Sequence, residues 1–244
     1  YVVRLSSLTV KNIKNVKKGT IFMPLAKERK LKLGGAEILG IYGQNGSGKT
    51  AIVDTLFFLQ RIMIGKELDQ NLIDYIDIDS SDAKVNAEFK IFGPNILFEV
   101  GYYINLIKQN GEVKINREYL NCAINKDGIR TNKNIFIDYK YNEMECIFKP
   151  QKRLDEVVGK NQETKIDLIV ARKIAEKSNC SYIFGESSRE ILCKEYNNDF
   201  KSYGIVIREL FDFALKDLFV IRNTHSGMIT ANFLLPMAFR VESD

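Results

Sequence analysis

The chain has 244 residues, 45% of them hydrophobic and 27% charged, and 36 Lys and Arg against 31 Asp and Glu give a net charge of +5. That composition suits a folded protein with one large or two small cores and excludes a wholly disordered chain. A single histidine, His225, excludes mechanisms built on several, and Cys122, Cys146, Cys180 and Cys193 lack the Cys-x-x-Cys spacing of a zinc or disulfide site.

No apolar run approaches the ~18 residues of a membrane helix, and residues 1–10 are too polar for a signal peptide. The expectation is a cytoplasmic protein with no membrane partner. The chain opens on Tyr1 rather than Met and stops at Asp244 without a closing element, as expected of part of a longer protein.

Residues 2–10 predict a strand, followed by a Lys/Asn-rich corner over 11–19 and a short strand over 20–23 that stops at Pro24. A basic, solvated loop covers 27–32, and Gly34-Gly35 is a turn. The nearly continuous apolar run 37–42 predicts a strand buried on both faces, within a sheet covered by helices. After a glycine-rich loop, Ile52, Val53, Leu56, Phe57, Leu59, Ile62 and Met63 predict a helix over 49–64, apolar around most of its circumference. Residues 65–83 read as a polar loop with a short helical turn.

Residues 84–149 change to a period of two. Val85, Ala87, Phe89 and Ile91 alternate with polar residues, as do Phe98, Val100, Tyr102, Ile104 and Leu106. Asn110-Gly111 and Asp127-Gly128 are hairpin signals, so an antiparallel meander is expected, separate from the sheet of the 37–42 strand and ending at Pro150. Beyond it the helical period returns, over 163–177 and 202–222. There is no internal repeat and no low-complexity tract.

Gly43-Gln44-Asn45-Gly46-Ser47-Gly48-Lys49-Thr50 matches G-x-x-x-x-G-K-[ST], the P-loop or Walker A pattern. Glycines let successive backbone N–H groups turn inward toward phosphates, and the helix starting at Lys49 adds its unpaired first-turn donors and the positive end of its dipole. Lys49 would reach the β- and γ-phosphates and is the one catalytic candidate; the Thr50 hydroxyl would bind Mg²⁺. The expected ligand is ATP with Mg²⁺. A GTPase is disfavoured, because Asn125-Lys126-Asp127 places its Asp one residue too early for guanine readout. Small-molecule kinases lack so long a meander after the loop's helix.

The loop and the following Ala51-Ile52-Val53-Asp54-Thr55-Leu56 resemble the ABC-type ATPases of the SMC and RecF kind, and especially bacterial AAA family ATP-binding proteins related to the OLD nucleases and phage-defence ATPases. Leu8-Thr9-Val10-Lys11-Asn12-Ile13-Lys14-Asn15-Val16 is similar to their first strand and corner. The resemblance is specific over 4–64, looser over 84–149 and weak over 151–244. It implies an α/β fold, a P-loop NTPase of ABC-ATPase type carrying the meander and a helical segment. Residues 1–150 would form the ATP-binding lobe, and 151–244 a helical arm or insertion leading to a further lobe.

By position, the resemblance implies that Asn45 faces the γ-phosphate, while Gly46, Ser47, Gly48, Lys49, Thr50 and Ala51 wrap the α- and β-phosphates, with Gly43 and Gln44 opening the loop. Asn12 and Lys14 would lie near base and ribose, or form a solvated turn. Gln151 is a candidate Q-loop residue for Mg²⁺, or an ordinary surface turn. A Ser-Gly-Gly signature loop and a strand ending in Asp-Glu, which complete such sites, are not found; after Ile135-Phe136-Ile137-Asp138 comes Tyr139.

The resemblance therefore implies the N-terminal part of an ATPase that hydrolyses as a head-to-head homodimer of the whole protein and acts in DNA-related or phage-defence work. A non-hydrolysing, nucleotide-dependent interaction module is the alternative, and an ABC transporter motor subunit a weaker one. Nucleic acid is a candidate partner through Lys11, Lys14, Lys17, Lys18 and the 27–32 loop.

Overall fold

The computed structural model describes residues 1–28, 38–44, 46–68, 70–148, 152–153, 162–193, 201–223, 228–231 and 237–240. Two strands open the chain, β1 (Val2–Ile13) and β2 (Val16–Phe22). Helix α1 (Lys49–Met63) and a 3₁₀ turn (Gln70–Tyr75) separate them from β3 (Asp82–Gly93), β4 (Ile96–Gln109) and β5 (Glu112–Lys126). Then come β6 (Ile129–Arg130), β7 (Asn134–Lys140), β8 (Glu145–Phe148) and β9 (Lys152–Arg153). Three helices follow, α2 (Gln162–Lys177), α3 (Glu186–Leu192) and α4 (Lys201–Asp212), the last running into a π-helical turn (Phe213–Asp217). The short strands β10 (Ile221–Asn223), β11 (Met228–Ala231) and β12 (Met237–Arg240) form a separate antiparallel sheet.

Among the described residues the main sheet has nine strands in the order β2-β1-β3-β4-β5-β7-β8-β9, with β6 paired to β5, and every pairing is antiparallel. Period-two patterning builds it: Val85, Ala87, Phe89 and Ile91 of β3 and Phe98, Val100, Tyr102, Ile104 and Leu106 of β4 are buried on one face. The turns stand where Asn-Gly and Asp-Gly predict, with Asn110, Gly111, Asp127 and Gly128 all at φ between 52° and 82°.

This architecture corrects the expected fold. A P-loop NTPase of ABC type needs a core of parallel strands, whereas the described sheet is antiparallel throughout. Residues 38–44 belong to no strand, and Ile38 and Tyr42 are 84% and 94% exposed. The apolar run at 37–42 looked like a buried strand because its composition is right, but burial needs covering layers and paired neighbours. The opening hairpin belongs with the meander: β1 pairs with β3, so the two are one sheet.

Helical segments and the turn at 182–184 pack on the apolar face. Phe213 packs edge-on to Phe89, and Phe184 edge-on to Tyr102. The buried Gln60 of α1 donates to the Ala214 carbonyl at 3.0 Å and to that of Leu218, carbonyls at the π-helical turn.

Among the described residues the most deeply buried carboxyl is that of Glu118. Glu118 of β5 is fully buried and accepts hydrogen bonds from the hydroxyls of Tyr102, Tyr141 and Ser181 and from the backbone N–H groups of Tyr182 and Ile183. It thereby ties residues 181–183 to the sheet. Burial pushes its carboxyl above the ordinary value, against those hydrogen bonds, which pull it down. The four cysteines are free; Cys122, Cys146 and Cys180 are buried, and burial pushes the Cys122 thiol up to about 12 and that of Cys180 to about 11.

Candidate functional site

The glycine-rich loop owes its shape to two left-handed residues, Gly46 at φ 83° and Gly48 at φ 89°. Between them the Ser47 N–H closes a turn on the Gln44 carbonyl at 3.2 Å. Gly48 answers a second demand: a Cβ there would lie 2.4 Å from Cγ2 of Val16, the first residue of β2. The hairpin therefore packs directly beneath the loop.

Gly48 is also the N-cap of α1, with no side-chain cap and no acidic residue in the first turn. The helix thus starts with its first-turn donors and dipole unopposed by an acid. The Lys49 ammonium turns back over the loop, donating to the carbonyls of Gly43 and Gln44 (2.7 Å) and to Ser47 Oγ at 3.3 Å. Thr50 is exposed beside it, while Ala51, 1% exposed, packs the underside of the helix. Gly43, Gln44, Gly46, Ser47, Gly48, Lys49 and Thr50 are therefore one cluster. Asn45 and Gln151 lie outside the described residues.

The β1–β2 corner splits three ways. The Asn12 amide donates to the carbonyl of Asp82 at 3.1 Å and to its carboxylate, so that side chain faces β3. Lys14 forms an ion pair with the buried Asp54 of α1 and sits 5.0 Å from the centre of the Tyr75 ring. Asn15, which the sequence reading passed over, is the corner residue that touches the loop, its amide donating to the Gly46 carbonyl. Next to it opens a groove of about 600 Å³ lined by Lys14, Asn15, Ile73, Ile76, Ile78 and Lys108, among others. Asx residues at tight corners are a general turn signal, but which neighbour the amide meets is decided by how the hairpin packs.

Other candidates are engaged elsewhere. Asp138 is held by a two-pronged ion pair from Arg117, at 2.8 and 2.6 Å. Of the basic corner, Lys14 is paired with Asp54 and Lys17 with Asp77 at 2.6 Å, while Lys11 and Lys18 stand opposite each other across the β1–β2 pair and are exposed. Residues 29–32 of the basic loop lie outside the described residues. Among the described residues, no three His, Cys, Asp or Glu side chains form a metal-holding group, and no helix is long and apolar enough to cross a membrane.

The geometry amounts to an exposed, lysine-bearing turn at an uncapped helix start, steadied from below by the β1–β2 hairpin. Neither known protein families nor curated proteins give a match to this chain.

Proposed function

We propose that loop 43–50 binds the phosphates of a nucleoside triphosphate, ATP with Mg²⁺, and that the groove beside Asn15 receives the base and ribose. The observation that carries this reading is the Lys49 ammonium folded over its own loop carbonyls at an uncapped, acid-free helix start. An arriving phosphate would draw the ammonium to itself and meet the first-turn N–H groups of α1. Thr50, exposed at the next position, would hold Mg²⁺. The reading rests on the loop and the helix rather than on the sheet, since a site's chemistry is separable from the fold that carries it.

Turnover by this chain is expected to be negligible. Water attack on a γ-phosphate needs a group that orients the water, and the carboxylates nearest that role are held by cations, Asp54 by Lys14 and Asp138 by Arg117. Lacking such a group costs a factor of ~10² to 10⁴ in rate. Hydrolysis is assigned to an assembly in which another surface closes over the loop.

The test is a melting titration carried into millimolar Mg-ATP. Ligand at ~100 times its dissociation constant adds about 2.7 kcal/mol, roughly 5–10 °C at this size, and Lys49→Ala should remove the shift. Equal melting temperatures with and without Mg-ATP would overturn the reading. Phosphate release at ordinary enzyme rates from the same samples would overturn the claim of negligible turnover alone.

A further inference from the structure

Helix α2 carries two different faces. Thr164, Leu168, Ala171 and Ala175 are buried against the rest of the molecule. On the opposite side Ile166, Val170 and Ile174 are 60%, 47% and 47% exposed, with Ile169 beside them at 41%. Four exposed acids and bases complete that side: Glu163 and Asp167 toward the helix start, Lys173 and Lys177 toward its end. At 3.6 residues per turn all seven residues from Glu163 to Lys177 in this set, Ile169 apart, fall within about 60° of Val170.

The set is symmetric about Val170. Reversed end for end, Ile166 exchanges with Ile174, Asp167 with Lys173 and Glu163 with Lys177, while Val170 keeps its place. We propose that this face of α2 pairs antiparallel with the same face of a second copy of the chain, across a twofold axis at Val170. Ile then meets Ile, Val meets Val, and every acid meets a base, as a self-complementary twofold interface requires. A parallel pairing would set Glu163 on Glu163 and Lys177 on Lys177, so the charges select the direction. The helix dipole accounts for acids at the start and bases at the end. It does not account for β-branched aliphatics standing in water between them.

The contact is modest. Sixteen residues span about 24 Å, and surface ion pairs are individually weak. Association in the micromolar range, weakened by salt, is therefore expected.

The experiment uses the whole chain without nucleotide, which separates this contact from any ATP-driven one, and reads molar mass by sedimentation across a concentration series. The parent should pass from monomer to dimer. Lys173→Glu with Lys177→Glu should leave monomer at concentrations where the parent is dimeric. Adding Glu163→Lys and Asp167→Lys to that variant should restore the dimer, because the reversed pairs are again complementary. Val170→Cys, oxidised with diamide, should give a crosslinked dimer that the parent, with its own Cys193, does not. A parent that stays monomeric throughout, its α2 face taken by some other partner or segment, overturns the proposal. So does a dimer indifferent to both sets of charge reversals.

Discussion

Glu118 concentrates the tension between burial and hydrogen bonding in a single side chain. Its folded carboxyl lies above the ordinary value of 4.5, chiefly through desolvation, so the folded state keeps the proton to higher pH than the unfolded chain. The residue's contribution to stability is then full below about pH 4.5 and is lost as pH rises through the folded value. Glu118→Gln should remove that component, because the amide oxygen can still accept the Tyr182 and Ile183 N–H groups and the hydroxyls of Tyr102 and Ser181 can turn to accept from its NH₂. Glu118→Ala should cost about 3 kcal/mol or more at any pH, since the buried Tyr102, Ser181 and Ile183 donors lose this acceptor and Tyr141 and Tyr182 each lose one of two. Melting temperatures measured from pH 4 to pH 8 decide it; parallel profiles for the parent and Glu118→Gln would refute it. Nothing in the sequence marked this residue. Asn105 faces Arg117 and Leu106 faces Ile115, so Asn116 is an extra residue in β5, and the bulge reverses the alternation. Buried odd positions Val113 and Ile115 give way to buried even ones, Glu118, Leu120 and Cys122.

Elements were legible where their cause is local. Helix 49–64 was expected and α1 runs Lys49–Met63; helix 163–177 was expected and α2 runs Gln162–Lys177. The last helix was read through to 222, but α4 stops at Asp212 and loosens into the π-helical turn, where Gln60 takes the Ala214 and Leu218 carbonyls. That partner lies on a different element, beyond what periodicity can report. The hairpin turns are local too. At Gly111, with φ 80° and nothing within 4 Å of a built Cβ, the obstacle to a side chain is backbone conformation alone. Gly111→Val should therefore destabilise by about 1–2 kcal/mol, the cost of a left-handed L-residue, with no loss from steric clash. Urea midpoints would measure it, and an unchanged midpoint would refute the turn assignment's energetic role.

At the scale of the molecule, direction was the illegible quantity. An apolar run specifies burial, but parallel and antiparallel sheets both bury such runs, and only the pairing partners distinguish them. Loop 43–50 could be singled out as a candidate without them, because its glycines, lysine and hydroxyls fall within eight consecutive residues. Asn15 could not, since its contact with Gly46 exists only once the hairpin lies under the loop.

The same topology sets an order of events. Strands β3, β4 and β5 are consecutive and joined by tight turns, so they can zip together after closing only short loops. The clasp from Gln60 to Ala214 and Leu218 joins residues 154 and 158 apart and must wait for nearly the whole chain. A contact made after the rate-limiting step does not speed folding; it slows escape from the native state. Gln60→Ala should accordingly raise the unfolding rate several-fold, for a loss of about 1 kcal/mol, and leave the refolding rate unchanged in stopped-flow measurements. A slowed refolding arm would place the clasp in the nucleus instead. On this account one amide near the end of α1 acts as a latch, governing how long the folded molecule lasts rather than how fast it forms.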